Sequence, residues 1–150
     1  QSGSPKVHLH SDDFWHFVKN GAIPPYLPEA HRQNAVVVDA LSNAAASYAK
    51  GGYFVIVDGI IGPWFLEPFR ATSLPLHYAV LRPSLENAIR RCHDRGDETI
   101  TPEAIAALHG QFSSLGDLER HALLVDGKSR DEMVDTLTDS IQSGAIRLPA

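Results

Sequence analysis

Four short runs, the first alternating and the other three mostly apolar, are separated by longer segments with helical spacing and constrain the fold of this 150-residue chain most strongly. The runs cover residues 6–10, 53–57, 77–81 and 121–125. The run at 53–57 is apolar throughout, which is typical of a strand that is covered on both faces of a parallel sheet. Strands that alternate with helices are joined by right-handed crossovers. We therefore expect an α/β fold with a mainly parallel sheet between helical layers.

The segments between these runs carry helix signals. Residues 29–50 are predicted to form a helix with an apolar face of Val37, Leu41, Ala45 and Tyr48. Ser84 and Thr101 can each cap a later helix, and Ser129 with Glu132 has the spacing of a capping box. These signals predict four helices of useful length between and after the strands.

Composition indicates one compact domain over residues 1–150. Hydrophobic residues make up 43% of the chain and charged residues 21%, which is close to the average for globular domains. A chain of this size can bury a sizeable core without a disulfide or a structural metal. The single cysteine, Cys92, excludes an internal disulfide framework and a multi-cysteine zinc site.

The charge balance argues against two classes of partner. With 13 Lys and Arg against 18 Asp and Glu, the net charge of −5 provides no basic surface for nucleic acid or for an anionic membrane. No stretch reaches the ~18 uncharged apolar residues of a membrane span. We expect a cytoplasmic protein. Residues 1–5 lack the basic and apolar regions of a signal peptide and resemble a linker cut in mid-chain.

Carboxylates follow two of the predicted strands. Asp12 and Asp13 come after the first run and Asp58 comes after the second. In parallel α/β sheets ligands bind beyond the carboxyl ends of the strands, so these acids mark a candidate site, although acids at strand ends also cap loops and helices. If the first strand continued, Asp12 would share the face of His8 and His10, and Asp13 would point to the other side.

A metal site is one alternative for this edge. His8, His10 and Asp12 on one face could ligate a metal ion. The familiar setting for such a pair of histidines is a metal-dependent hydrolase barrel, which needs about 250 residues. The chain is shorter, so we expect the two histidines to be hydrogen-bonded strand residues, and a metal-dependent hydrolase is the third hypothesis.

Arginines concentrate in one predicted helix. Four of the nine arginines lie between positions 82 and 95, namely Arg82, Arg90, Arg91 and Arg95. Guanidinium groups four or five residues apart on a helix can converge on one phosphate. The alternative is a solvated basic face.

Three segments together resemble successive landmarks of small P-loop kinases: residues 6–15, residues 54–64, and Arg90, Arg91 and Arg95. The nearest groups are bacterial ATP-binding proteins of the AAA-like kinase type. Chloramphenicol phosphotransferase, gluconate kinase, zeta toxin and polynucleotide kinase are more distant. The resemblance spans residues 6 to about 143. It implies a three-layer parallel sheet of the P-loop NTPase type, with ATP and Mg²⁺ as cofactors.

The resemblance also implies roles for single residues. Asp12 would be the general base, Asp58 would hold Mg²⁺ through water, and residues 93–117 would form a lid-like helical region. Arg90, Arg91 and Arg95 would reach over the ATP phosphates, and Gly127 and Ser129 would lie near the adenine. Trp15 stands where some relatives carry an arginine, which argues against a phosphorylated or polynucleotide acceptor.

One landmark of the family is missing. The phosphate-binding string G-x-x-x-x-G-K-[ST] does not occur in the 150 residues. We expect the first strand, the loop and its helix, roughly 25 to 30 residues, to precede Gln1. The alternative is a protein of the same fold without this loop, which would bind a nucleotide or another ligand without catalysis.

The leading hypothesis is an ATP-dependent phosphotransferase that acts on a hydroxyl group of a small molecule. The residues predicted to contact this acceptor are Asp13, Trp15, Tyr26, Arg32 and Trp64. With Phe14 and Phe65 the aromatic residues could form a ring-stacking pocket, or they could simply pack in the core. Arg32 could meet a carboxylate or phosphate. The sequence gives no prediction of the oligomeric state.

Overall fold

The computed structural model describes residues 3–96 and 101–149. Its strands are β1 (Lys6–His10), β2 (Phe54–Asp58), β3 (Val80–Arg82) and β4 (Ala122–Leu124). Its helices are α1 (Ser11–His16), α2 (His31–Lys50), α3 (Glu67–Arg70), α4 (Leu85–Asp94), α5 (Pro102–Gln111) and α6 (Arg130–Gln142). Short 3₁₀ turns cover Pro28–Ala30, Pro63–Phe65 and Gly116–His121. The mixture of helices and strands confirms the predicted α/β class.

The strands pair in parallel, as expected, but in two separate ladders. β1 pairs with β2 and β3 pairs with β4, so each described sheet has two strands. The contacts divide the chain into an N-terminal unit, which ends at Leu76, and a C-terminal unit, His77–Pro149. The three-layer P-loop arrangement and the single domain stay predictions.

The core of the N-terminal unit lies beneath α2. Val38, Leu41 and Phe69 are buried at its centre, and Leu9 of β1 and Val57 of β2 pack against them. The parallel register brings His10 opposite Asp58 at the carboxyl ends of the two strands. Alternate residues of β1 are partly buried because side chains two apart in a strand share a face.

Two details of the predicted packing are wrong. Tyr48 does not join the buried face of α2; it is 44% exposed and its ring packs on Tyr53 at a centroid distance of 5.7 Å. The reason is that Gly51 and Gly52 turn the chain back, so that Tyr53 meets the last turn of the helix. Strand β2 is not covered on both faces, because the core packs on the face of Val57 and leaves Ile56 47% exposed.

The C-terminal unit has its own core around His121. This side chain is 0% exposed, its Nδ1 lies 2.8 Å from the Tyr78 carbonyl oxygen, and its Nε2 accepts a hydrogen bond from Arg120 Nε at 3.2 Å. These two hydrogen bonds require a proton on Nδ1, which donates to the carbonyl, and a lone pair on Nε2, which accepts from the guanidinium. The third strand starts later than predicted, at Val80, because Tyr78 N–H donates instead to the Ile146 carbonyl.

The predicted helix caps are confirmed. The hydroxyl of Ser84 accepts the Asn87 N–H, and that of Thr101 accepts the Ala104 N–H. Ser129 and Glu132 form a complete capping box at the start of α6. Each cap satisfies an N–H group that has no partner inside its helix.

Helix α1 was not expected, and it changes the surroundings of two predicted site residues. It begins at Ser11, directly after β1 and without a side-chain cap, so Asp12 and Asp13 lie in its first turn. Asp12 and Asp13 are therefore helical, and the expected continuation of the strand, from which we predicted that Asp13 points to the other side, is wrong. Ser11, the first residue of α1, is buried, with 1% of its surface exposed.

Gly59 is the residue against which Ser11 packs. Its φ of +140° belongs to a region that is essentially restricted to glycine. A Cβ at position 59 would overlap the Ser11 hydroxyl and would lie 2.8 Å from Ser11 Cβ. The residue is thus required to be glycine both by its backbone conformation and by the close approach of α1.

We expect Gly59→Ala to destabilise the protein by about 3 kcal/mol or more, since backbone strain and steric overlap add. Gly52→Ala is the control, because Gly52 also has a positive φ, +89°, but a Cβ there would meet open space. It should cost only about 1–2 kcal/mol. Urea unfolding of both variants measures the difference. Equal losses of unfolding free energy in the two variants would mean that the close contact with Ser11 adds nothing to the cost of Gly59→Ala.

Candidate functional site

The carboxyl ends of β1 and β2 form the candidate site. Because the two strands are adjacent and parallel, with His10 opposite Asp58, residues that follow them meet at one edge. Asp12 is reached through the turn into α1, and Asp58 is the last residue of β2. The prediction that Asp12 and Asp58 lie at one edge is consistent with this geometry. We call His8, His10, Asp12 and Asp58 the His–Asp cluster.

Two imidazoles share one carboxylate oxygen in this cluster. His8 Nε2 and His10 Nδ1 lie 2.7 Å and 3.0 Å from Asp58 Oδ1. Both rings point to the same side because residues two apart in a strand share a face. A carboxylate can only accept, so each bond requires a proton on the ring nitrogen that makes it. The expectation that the histidines are hydrogen-bonded strand residues is confirmed.

His10 also lies between the two acids. Its Nε2 is 3.6 Å from Asp12 Oδ2, while its Nδ1 contacts Asp58. Asp13 makes no such contact and acts on His10 only through its charge. The contact with His10 therefore distinguishes Asp12 from Asp13, although the strand alternation that first separated them does not apply.

The cluster shifts two pKa values. For Asp58 the largest single effect is partial burial, which raises the pKa, but the hydrogen bonds and charges of the two histidines together hold it below 3.8. The hydrogen bond to Asp58 raises the pKa of His10 above 6.5, and the charges of the nearby carboxylates add to this. An Asp–His pair of this kind favours the charged form of both partners.

The donor set at this edge fits a magnesium ion held through water better than one held directly. Among the described residues, no group of three or more His, Cys, Asp or Glu side chains is arranged to hold a metal ion. Asp58 Oδ1 accepts from both histidines, whereas Oδ2 accepts from no described residue. Mg²⁺ keeps several of its waters and uses one or two carboxylates. The assignment of Asp58 to Mg²⁺ stays a prediction.

The residues predicted for an acceptor pocket have different surroundings. Trp15 packs against the core together with Phe14 and Phe65, and its indole N–H donates to Asn34 Oδ1 at 2.8 Å. Tyr26 is 84% exposed and Trp64 is 49% exposed. Trp64 nevertheless contacts the ring of Phe65, which contacts that of Trp15, at ring-centroid distances of 6.1 Å and 6.4 Å, so three of the predicted aromatic rings do lie together. Their predicted contact with an acceptor stays untested, as does that of Asp13.

Arg32 lies exposed in α2 of the N-terminal unit, and its predicted contact with an acceptor is untested. The other predicted site residues lie in the C-terminal unit. Arg90, Arg91 and Arg95 are exposed, and Arg95 turns back on its own helix, where Nε donates to the Arg91 carbonyl at 3.3 Å. Their predicted role over phosphates is untested. Part of the predicted lid, residues 97–100, lies outside the described residues. The rest of it contains α5 and the start of the 3₁₀ turn at Gly116–His121.

Gly127 and Ser129 follow β4, as predicted. Gly127 has a φ of +75°, which a turn between β4 and α6 requires. Both the hydroxyl and the N–H of Ser129 bond with Glu132 in the capping box. Ser129 thus has a structural function already, and the predicted proximity of both residues to adenine is untested.

Two residues that hold the N-terminal unit in shape were missed in the sequence. Gly59 fixes the end of β2 against Ser11, and Gln33 binds the loop before α2 through two hydrogen bonds with Ile23. The dipeptide Asp58-Gly59 is a turn signal that could have pointed to the glycine. No local pattern marks Gln33, because its partner lies ten residues away.

No protein-family model matches the chain, and no curated protein matches it. The kinase resemblance therefore depends on the residues described above. Within the described part of the chain, no helix is both long and apolar enough to cross a membrane.

The His–Asp cluster makes stability depend on pH in a defined direction. The pKa of His10 is raised above its unfolded value of 6.5, so its contribution is complete below that pH and is lost as the pH rises through the folded pKa. Asp58 loses its contribution only below pH 3.8. From about pH 6 to about pH 8, the wild type should therefore lose more unfolding free energy than His10→Asn.

Urea unfolding at both pH values measures this difference, and His16→Asn is the control. His16 is an exposed histidine of α1 outside the cluster. The control should keep the pH dependence of the wild type. A wild type and a His10→Asn variant with the same pH dependence would contradict the hydrogen-bonded cluster.

Proposed function

We propose that this chain is part of an ATP-dependent phosphotransferase that acts on a hydroxyl group of a small molecule, with Asp12 as the general base. One observation carries the proposal: Asp12 and Asp58 stand at the carboxyl edge of two adjacent parallel strands and both contact His10. Two carboxylates at this edge match the base and the magnesium-holding acid of small P-loop kinases, which the sequence resembles.

The reaction assigns a separate task to each acid. In phosphoryl transfer the acceptor oxygen forms a bond to the γ-phosphorus while the bond from that phosphorus to ADP breaks, and the hydroxyl proton passes to a base. Asp12 can take this proton, because its carboxylate is more than half exposed at the start of α1. When bound with ATP, Mg²⁺ would neutralise charge on the phosphates, and Asp58, whose Oδ2 accepts from no described residue, would hold the ion through water.

The proposal requires a phosphate-binding loop from a segment outside the 150 residues. Backbone N–H groups and a lysine of that loop normally hold the β- and γ-phosphates. The exposed arginines in α4 and directly after it, Arg90, Arg91 and Arg95, are proposed to place positive charge beside the transferred group, as lid arginines do in the resembling kinases.

A non-catalytic nucleotide- or ligand-binding module is the second candidate. The observation that favours it is the lack of G-x-x-x-x-G-K-[ST] in this sequence. Such a protein would keep the strand edge and its acids without transferring phosphate. ATP hydrolysis and acceptor-dependent ADP release by the full-length protein distinguish the two candidates.

We expect Asp12→Asn to lower acceptor-dependent ADP release by ~10² to 10⁴, because this is the usual effect of removing a general base. ATP affinity should be retained, since the base does not bind the phosphates. Asp13→Asn is the matched control and should lose much less, because Asp13 makes no contact within the cluster.

The assay uses the full-length protein with a panel of small hydroxyl compounds, and ATP binding is measured by calorimetry. A larger loss of ADP release in Asp13→Asn than in Asp12→Asn would mean that the wrong acid is assigned as the base. Failure of the full-length protein to bind ATP would refute both the kinase and the nucleotide-binding candidate.

For the arginines we expect a loss of turnover without a loss of folding. We replace Arg90, Arg91 and Arg95 one at a time by Ala. At least one replacement should lower turnover about tenfold or more, because contacts between a guanidinium and the transferred phosphate act where charge develops in the transition state. Thermal unfolding should change little, since all three side chains are exposed. Arg130→Ala, at the exposed start of α6, is the control. Wild-type turnover in all three variants would favour a solvated basic face.

A further inference from the structure

A pocket of about 390 Å³, largely open to solvent, lies in the N-terminal unit between residues 18–23 and the first turns of α2, and we refer to it as the cavity. Its wall is mostly aliphatic, formed by Val18, Ile23, Val36 and Val37, and two opposite charges, Glu29 and Arg32, also line it. This volume is within the range of small-molecule sites. An apolar wall with a few charged groups is the common composition of such sites.

Side-chain amides hold this cavity in shape. Gln33 Oε1 accepts the Ile23 N–H at 2.8 Å, and Gln33 Nε2 donates to the Ile23 carbonyl at 2.7 Å. Asn34 Nδ2 donates to the Pro25 carbonyl at 2.7 Å while its Oδ1 accepts from Trp15. The loop that forms one wall is thus fixed to α2 before any ligand arrives, which lowers the cost of ordering on binding.

The two charged groups of the cavity are available to a ligand. Within the described residues, neither Glu29 nor Arg32 forms an ion pair or a side-chain hydrogen bond, although they are three positions apart. A guanidinium can bind a carboxylate through two parallel hydrogen bonds. A carboxylate such as Glu29 binds an ammonium group in the same charge-assisted way.

We propose that this cavity binds an aliphatic α-amino acid in its zwitterionic form. Its carboxylate would pair with Arg32, its ammonium group with Glu29, and its side chain would lie on Val18, Ile23 and Val36. A simple anion would face the like charge of Glu29, and a simple cation that of Arg32, so a ligand with both charges fits best. The proposal does not depend on phosphoryl transfer.

Calorimetric titration of the full-length protein with L-leucine tests the ligand class. The matched probes are 4-methylpentanoate, which lacks the ammonium group, 3-methylbutylamine, which lacks the carboxylate, and glycine, which lacks the side chain. We expect each to bind at least about tenfold more weakly than leucine, the scale of one lost charge-assisted contact or of a lost buried aliphatic group. No leucine binding at about 10 mM would overturn the proposal. Equal binding of 4-methylpentanoate would mean a site for simple anions, which overturns it as well.

Variants test the two charged partners. Arg32→Gln and Glu29→Gln should each weaken leucine binding about tenfold or more. The matched controls are Arg70→Gln and Glu67→Gln, an exposed pair in α3 with the same spacing that does not line the cavity. They should change binding by less than about twofold. Unchanged binding in Arg32→Gln, or equal weakening in the α3 pair, would overturn the assignment, and thermal unfolding of all four variants verifies that they fold.

Discussion

The contact between Gly59 and Ser11 is the constraint on which the N-terminal unit depends. Ser11 is buried against the glycine, so α1 can begin immediately where β1 ends. The same contact fixes the chain that leaves β2. Since both strand ends are held at one point, the carboxylates that follow them have little freedom to separate. The geometry of the candidate site is therefore a consequence of backbone packing, and its polar contacts form on a scaffold that is already set.

The His–Asp cluster shows how such a scaffold creates new chemical properties from ordinary residues. His8 and His10 would be unremarkable strand residues if β2 were shifted by one position, because a slip of one residue would move Asp58 to the other face. In the observed register a single carboxylate oxygen accepts from both rings. This arrangement orders His10 beside Asp12 and keeps Asp58 ionised to low pH.

Local signals in the sequence were sufficient for much of the fold. The strands at 6–10 and 53–57 and the caps at Ser84, Thr101 and Ser129 depend on neighbouring residues, and all are present. The late start of β3 involves a distant partner. Residues 77–79 do not extend β3 because Tyr78 bonds with Ile146, which lies far along the chain. Proximity of Asp12 and Asp58 could be predicted from parallel pairing, but their shared contact with His10 requires the register and the unexpected helix α1.

The hydrogen bonds that the side-chain amides of Gln33 and Asn34 form have a consequence for proteolysis. The segment between α1 and the 3₁₀ turn at residue 28 contains no regular secondary structure, and its side-chain hydrogen bonds to α2 are few. A protease can cut such a segment only after it has opened locally, and the rate then reports the free energy of that opening and not of global unfolding. Cleavage after Lys19 would thus measure the strength of this small hydrogen-bond network, and any ligand that lies between the segment and the helix would slow it.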